Sequence, residues 1–222
     1  MTSIEAPDRM YEDNMRIGID LIDLYLHTRE SRYLEKAELI WKFISEGIDN
    51  RFGGGIYSSE WSRKVKSPVT NAYGAVFGTR LYQATDNQDY LDMAKGMYIW
   101  AQENQNDQCL LGEYNGLMIQ AGSLLFRISE RTGYLEDARA LAKENSHLMT
   151  GGSDPWNNVL MVRGLVELYH TDGEPEYLNS LRKALEASWT SGQRPAGRAE
   201  QTAQAEIYSR LGDLLNSQPH HN

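Results

Sequence analysis

Two adjacent carboxylic acids near the start of the sequence are the residues best suited to chemistry. Glu12 and Asp13 lie in the segment Tyr11-Glu12-Asp13-Asn14. Neighbouring Cα atoms are about 3.8 Å apart, so the two carboxyl groups can reach the roughly 5 Å separation of nucleophile and acid/base in a retaining glycosidase. Acidic residues are also common in the first turn of a helix, where they interact favourably with the helix dipole. On spacing alone, the helical role is the more common one.

Three consecutive glycines at 53–55 are followed by two aromatic residues, Tyr57 and Trp61. Glycine lets the backbone pass close to another group because it has no Cβ, and tyrosine and tryptophan rings suit stacking on a sugar face. The segment is not a phosphate loop, because it lacks the Lys-Ser/Thr ending and no GxGxxG fingerprint is found. We therefore expect Gly54, Gly55, Tyr57 and Trp61 to contact a ligand.

A fourfold repeat indicates the elements that position these residues. In each copy a second aromatic residue follows the first leucine by nine positions, and a polar turn lies between them. The leucine and aromatic pairs are Leu24 and Tyr33, Leu81 and Tyr90, Leu125 and Tyr134, and Leu168 and Tyr177. The flanking apolar residues recur at helical spacing, as Ile17, Leu21, Leu24 and Tyr25 do in the first copy. Each copy therefore predicts an antiparallel helical hairpin.

The long segments between hairpins are where we expect the binding surface. They cover about 48–67, 105–113, 149–155 and 190–198, and a last helical stretch, 200–215, predicts a fifth first-helix. If the hairpins pack side by side, the short turns lie on one rim and the long connections on the other, where binding is usually built. The repeat predicts a single all-α domain over 1–222.

Polar residues at the heads of the predicted first helices converge on the rim of long connections. They are Tyr11, Asn14, Asn71, Tyr114, Asn115 and Trp156. Several of these groups resemble ordinary N-cap signals, so each one alone is more often a cap than a ligand contact. Together, amides, hydroxyls, an indole and carboxylates favour a polyhydroxylated ligand.

Composition excludes several other classes of function. The net charge is −9 and no run of Lys or Arg occurs, so we expect no nucleic-acid or membrane partner. Cys109 is the only cysteine, and the five histidines show no ligand spacing, so we expect neither a disulfide framework nor a metal site or other cofactor. The sequence shows no secretory signal and no apolar span, which predicts a cytoplasmic protein.

In this order along the chain, several segments together resemble glycoside hydrolase family 76. They are Tyr11-Glu12-Asp13-Asn14-Met15, the Gly53-Gly54-Gly55-Ile56-Tyr57 loop, Asn71, Tyr114-Asn115 and Arg163-Gly164-Leu165. The similarity runs from about residue 11 to residue 211. The acidic pair followed by the glycine loop is fairly specific, whereas other six-hairpin sugar enzymes share the hairpin repeat. The resemblance implies an (α/α) toroid of helical hairpins and an endo-α-1,6-mannanase activity.

By the same resemblance, Glu12 takes the role of nucleophile and Asp13 that of general acid/base. The family pair is Asp-Asp, so Glu12 is one methylene longer, and Arg16 and Ile17 stand where the family carries aromatic residues. These departures motivate an alternative, a non-catalytic member that binds saccharide or serves as a helical assembly partner. A sugar epimerase on a similar toroid would need histidines on the binding rim, and His27 and His170 fall instead at the short turns.

The number of predicted first helices is five, where the resembled toroid has six. The sequence therefore predicts an incomplete toroid that lacks an N-terminal hairpin. We expect the gap either to stay open or to be filled by another chain, as in a homo-oligomer. The ligand in both cases is an oligosaccharide or polysaccharide.

Overall fold

The computed structural model describes residues 8–105, 112–145, 155–190 and 197–217. These ranges contain nine α-helices: α1 (Tyr11–Thr28), α2 (Ser31–Ser45), α3 (Pro68–Thr85), α4 (Gln88–Glu103), α5 (Gly112–Ser129), α6 (Thr132–Glu144), α7 (Pro155–Asp172), α8 (Glu176–Thr190) and α9 (Arg198–Ser217). Each of the four repeat copies joins two successive helices by a short turn, so the hairpin prediction is confirmed. The chain divides into two compact units, residues 1–107 and 108–222, and each is described separately. The single domain stays a prediction.

The polar position of the repeat has a definite structural role at each turn. It is filled by Thr28, Thr85, Ser129 and Asp172. In the first three turns the hydroxyl donates to the carbonyl four residues earlier, as Thr28 Oγ1 does to Leu24 O at 2.7 Å. In all four turns the side-chain oxygen also accepts the backbone N–H two residues later. The residue after it is left-handed, with φ between 55° and 74°. Local hydrogen bonding therefore ends one helix and starts the next.

The buried face of α1 differs from the face that apolar spacing predicts. Ile17 and Leu24 are exposed, whereas Met15, Ile19 and Ile22 are buried. The helix carries apolar residues on two faces, and close packing on α3 selects one of them. A Cβ on Gly18 would lie 2.4 Å from the Phe77 ring of α3, so this contact needs a glycine. Periodicity located the helix correctly but could not choose between its two apolar faces.

Aromatic residues join three helices of the first unit. The Trp41 ring of α2 meets Phe77 of α3 edge to face at 5.4 Å and Tyr90 of α4 at 5.6 Å. Such pairs add to the apolar area that the rings bury. Trp41 and Phe77 lie within their helices, and Tyr90 lies in the first turn of α4. The three rings therefore pack α2 against both α3 and α4.

Helices α5, α7 and α9 pack together in the second unit. Gly116 and Gly164 let α5 and α7 approach so closely that a Cβ on Gly164 would lie 2.5 Å from Gly116 O. Arg163 of α7 donates twice to the Glu206 carboxylate of α9, at 2.6 and 2.9 Å, and Arg210 donates to it at 2.7 Å. Burial acts to raise the pKa of Glu206, but the two arginines outweigh it and hold that pKa below its ordinary value. No helix in the described ranges is long and apolar enough to cross a membrane.

Candidate active site

The first turn of α1 presents the two candidate catalytic carboxylates. Met10 supplies no side-chain cap, and the Asn14 side chain donates instead to the Met10 carbonyl oxygen at 2.8 Å. The Tyr11 N–H donates to Ser58 O at 3.0 Å, which ties the start of α1 to the connection between α2 and α3. Acidic side chains in this turn also interact favourably with the helix dipole. The connection between α2 and α3 and the first turn of α1 are therefore held together by hydrogen bonding.

The Glu12 carboxylate is held at both of its oxygens. Its Oε2 accepts a hydrogen bond from Thr70 Oγ1 of α3 at 3.2 Å. Its Oε1 lies 3.5 Å from Arg16 Nη2, one turn along α1. The Arg16 guanidinium in turn lies over the Tyr73 ring, 4.8 Å from the ring centroid. With 25% of its side chain exposed, Glu12 is fixed in place and still open to solvent.

Asp13 differs from Glu12 both in its exposure and in its contacts. Its side chain is exposed, and no described residue forms a hydrogen bond or an ion pair with it. Successive residues of an α-helix point about 100° apart, so Glu12 turns towards α3 while Asp13 does not. The pair thus combines one fixed carboxylate with one free to meet a ligand.

The glycine loop depends on glycine at each of its three positions. Gly53, Gly54 and Gly55 have φ values of 79°, 105° and 74°, which side chains with a Cβ rarely adopt. Gly55 is buried, and a Cβ there would lie 2.7 Å from Asn71 Oδ1 and 2.8 Å from the Trp100 ring. Gly54 has open space around it. Of the two glycines predicted to contact a ligand, Gly54 is the one open to such contact.

Three of the predicted ligand-binding side chains are completely buried. They are Tyr11, Tyr57 and Asn71. Asn71 accepts from the Ile56 N–H at 2.8 Å and donates to Ile56 O and Ser67 O, so it ties the head of α3 to the loop. The Tyr57 hydroxyl donates to Asp49 Oδ2, and burial together with this carboxylate raises the pKa of Tyr57. These contacts, and the packing of the Tyr11 ring on Phe43 with 5.0 Å between centroids, favour a positioning role for all three side chains.

Two aromatic rings of the connection do face solvent. Trp61 is 53% exposed, and its backbone N–H donates to Asp8 Oδ1 at 2.9 Å, which places the residue beside the start of α1. Phe52 is 66% exposed, directly precedes the three glycines and has a left-handed φ of 54°. Sequence reasoning missed Phe52, although its place before the glycine run was a usable signal. Both rings suit stacking on a sugar.

The remaining predicted residues belong to the second unit. Tyr114 and Asn115 are buried in the first turn of α5, and Asn115 Nδ2 donates to Asn145 Oδ1 at 2.8 Å. Asn115 thereby links the head of α5 to the end of α6. Trp156 lies in the first turn of α7, and its side chain is outside the described part. Within the described ranges, no cluster of His, Cys, Asp and Glu could hold a metal ion.

Comparison with known proteins identifies the sequence signature of the first half of the chain. The family model described as glycosyl hydrolase family 76 matches residues 1–111. No curated protein sequence matches the chain. The matched segment contains the acidic pair, the glycine loop and Asn71.

Solved structures match almost the whole chain. A family 76 mannosidase from Bacteroides thetaiotaomicron shares 26% identity with a TM-score of 0.86, over 95% of this chain and 72% of its own. A family 76 glycoside hydrolase from a bovine strain of the same species shares 25% identity with a TM-score of 0.85, over 96% and 57%.

A third match comes from an inactive α-1,6-mannanase variant of Salegentibacter sp. in complex with α-1,6-mannotriose. It shares 18% identity with a TM-score of 0.81, over 92% of this chain and 76% of its own. In that variant two adjacent aspartates are replaced by asparagine. The structural matches confirm the predicted fold class, the all-α (α/α) toroid of helical hairpins.

Proposed function

This chain belongs to glycosyl hydrolase family 76, and from that premise we propose that it hydrolyses α-1,6-linked mannose oligosaccharides with retention of configuration. Glu12 serves as the nucleophile and Asp13 as the general acid/base. The observation that carries the proposal is the contrast between these adjacent carboxylates. Glu12 is held by Thr70 and Arg16, whereas Asp13 is exposed and has no partner among the described residues.

Each carboxylate suits one role in a double displacement. The Asp13 carboxylic acid protonates the glycosidic oxygen while a Glu12 oxygen attacks the anomeric carbon, which releases the leaving sugar and forms a glycosyl ester on Glu12. The Asp13 carboxylate then removes a proton from a water molecule that displaces Glu12 from the anomeric carbon. A nucleophile must meet the anomeric carbon in a fixed geometry, and the Thr70 and Arg16 contacts supply that constraint.

The choice of ligand is supported by the exposed part of the loop and by the relatives. Phe52 and Trp61 present solvent-facing rings, and the space around Gly54, two residues after Phe52, is open. The Salegentibacter variant, altered at two adjacent aspartates, holds α-1,6-mannotriose. We therefore assign the Phe52 and Trp61 rings to sugar contact and Tyr11, Tyr57 and Asn71 to holding the loop.

The test is hydrolysis of α-1,6-mannotetraose by the native chain and by Glu12→Gln and Asp13→Asn. We expect each substitution to lower kcat/KM by about 10²–10⁴-fold, and NMR to show the α-anomer as the first product. Glu35→Gln is the matched control, because Glu35 is an exposed carboxylate on α2 and should leave the rate unchanged. No cleavage of any α-mannoside by the native chain, or equal rates for native and Asp13→Asn, would refute the catalytic proposal.

A second candidate is binding without turnover, and the Arg16 contact favours it. The Arg16 guanidinium lies 3.5 Å from Glu12 Oε1, the oxygen that Thr70 leaves open. A persistent ion pair there would keep Glu12 from attacking the sugar. Titration calorimetry with α-1,6-mannotriose separates the two candidates, because binding with no product release indicates the non-catalytic function. If this ion pair is what blocks the attack, Arg16→Met should leave binding intact and allow measurable turnover.

A further inference from the structure

A buried ammonium group lies at the centre of the connection between α2 and α3. The Lys66 side chain is only 1% exposed. Its Nζ lies within 3.0 Å of five oxygen atoms of the segment 49–55: Asp49 O at 3.0 Å, Asp49 Oδ1 at 2.8 Å, Arg51 O at 2.8 Å, Gly54 O at 2.6 Å and Gly55 O at 3.0 Å. The Tyr57 ring closes one side, with its centroid 4.7 Å from Nζ.

This arrangement resembles the coordination of a desolvated monovalent cation. An ammonium group has three N–H donors, so five acceptors must share them. Four of the five oxygens are backbone carbonyls, which replace water around an ion in the way that carbonyl oxygens do in cation-selective filters. Asp49 supplies the compensating charge, and Lys66 holds the pKa of Asp49 below its ordinary value.

Residues 51–55, at the centre of the segment around this ammonium, have few other hydrogen bonds to the rest of the described chain. Glycines lose more conformational freedom on folding than any other residue, and a Cβ on Gly53 or Gly54 would meet no atom within 4 Å. Phe52 holds a left-handed conformation, which costs free energy unless the surroundings enforce it. Its carbonyl oxygen accepts from Trp100 Nε1 at 2.8 Å. Among the described residues, the hydrogen bonds that reach 51–55 from outside the loop come from Lys66 and Trp100, and the others are local, as from Gly54 N–H to Arg51 O.

We propose that Lys66 is a positioning residue whose ammonium acts as an internal cation and orders the loop 49–57, so that the Phe52 ring stays exposed beside Gly54. The loop loses order when the ammonium is removed. A small monovalent cation that can enter the vacated space restores it. This goes beyond the proposed hydrolysis, because the order of the loop is measured without any sugar.

Hydrogen exchange read by mass spectrometry tests the proposal on three variants. Lys66→Ala removes the charge and leaves space, Lys66→Met removes the charge and fills the space, and Lys64→Met changes an exposed lysine two residues away. We expect amides of 49–57 to exchange at least tenfold faster in both Lys66 variants, with α3 amides unchanged and Lys64→Met like the native chain. Methylammonium or ammonium ion should slow exchange in Lys66→Ala but not in Lys66→Met.

Two further measurements keep the inference open to refutation. Tetramethylammonium, which is larger and has no N–H donor, should not rescue Lys66→Ala. Rescue by it would indicate a general salt effect and would overturn the role of a cation held by the loop oxygens. Asp49→Asn should raise loop exchange by about threefold to tenfold, because the compensating charge is lost. Unchanged loop exchange in both Lys66 variants would refute the proposal. Global unfolding of all three variants, Lys66→Ala, Lys66→Met and Asp49→Asn, would also refute the proposal, because Lys66 would then stabilise the whole first unit and not the loop alone.

The sugar affinity provides a separate readout that does depend on the proposed function. If native protein binds α-1,6-mannotriose, Lys66→Ala should bind it at least tenfold more weakly, and methylammonium should recover part of that loss. If native protein does not bind the trisaccharide, the proposed function fails while the exchange measurements still decide the role of Lys66. If Lys66→Ala has a disordered loop but binds the trisaccharide as tightly as native protein, the loop does not contribute to ligand binding. This result would overturn the proposal that Lys66 positions Phe52 for sugar contact.

Discussion

The contact between α5 and α7 makes a quantitative prediction about stability. Gly164→Ala would place a Cβ 2.5 Å from Gly116 O and 3.2 Å from Ile119 Cβ. The nearest atom is backbone and cannot rotate away, so the helices must separate by about 1 Å to restore ordinary contact distances. Overpacking of this kind typically costs about 1–3 kcal/mol, and alanine returns about 0.5–1 kcal/mol of helix propensity. Because the obstacle is backbone, we expect a net loss of about 2 kcal/mol.

Chemical and thermal unfolding of Gly164→Ala measure this loss. For a chain of this length, 1 kcal/mol corresponds to roughly 2–4 °C in Tm, so the midpoint should fall by about 4–8 °C. Gly96→Ala is the matched control, because a Cβ on Gly96, within α4, meets no atom within 4 Å. It should raise the unfolding free energy by about 0.5–1 kcal/mol. A Gly164→Ala midpoint at or above the native value, with the control behaving as expected, would refute the close-packing argument.

Three other substitutions test the site, its exposed ring and an ion pair of the second unit. Thr70→Val removes the hydroxyl that holds Glu12 and should lower kcat about tenfold, from a loss of roughly 1.4 kcal/mol. Thr79→Val, at a buried threonine of the same helix, is the control and should leave kcat unchanged. Equal effects of the two substitutions on kcat would contradict the role of Thr70. Because the pKa of Glu206 is lowered in the fold, its stabilising contribution is complete above the unfolded pKa near 4.5 and is lost as pH falls through the folded value. The Tm difference between native and Glu206→Gln should therefore shrink below pH 4.5, whereas a constant difference from pH 7 to pH 3 would contradict the ion pairing. Phe52→Gly relieves left-handed strain and should raise stability by about 0.5–1 kcal/mol while weakening mannotriose binding; calorimetry showing native affinity would exclude the ring from the sugar site.

Local patterns predicted the hairpins because local interactions form them. The hydroxyl of Thr28 and the left-handed residue that follows it act within a few residues, so spacing and residue type suffice to place the turn. The burial of Ile19 in place of Ile17 depends on Phe77, far along the chain. Such a choice between two apolar faces is made by packing and is invisible to periodicity.

The candidate site was predictable at its carboxylates and less so around them. The adjacency of Glu12 and Asp13 is a property of the sequence, but their different surroundings arise from the position of Thr70 on α3. Asn71 and Tyr57 were reasonable ligand contacts by residue type, and the fold instead turns both inward to hold the loop. The cage around Lys66 consists largely of backbone oxygens, which no residue pattern reveals.

The turns described above have a consequence for how this protein can change. At the end of α1 the signals for ending and restarting a helix all lie within residues 24–30. At its start, Tyr11 and Asp8 are hydrogen-bonded to Ser58 and Trp61 of the connection between α2 and α3, some fifty positions away. A turn can therefore be exchanged with that of another copy as a self-contained piece. The connection between α2 and α3 can be replaced only together with the residues at the start of α1 that it contacts. Inherited variation is therefore constrained locally at the short turn of a hairpin and by distant residues at its other end.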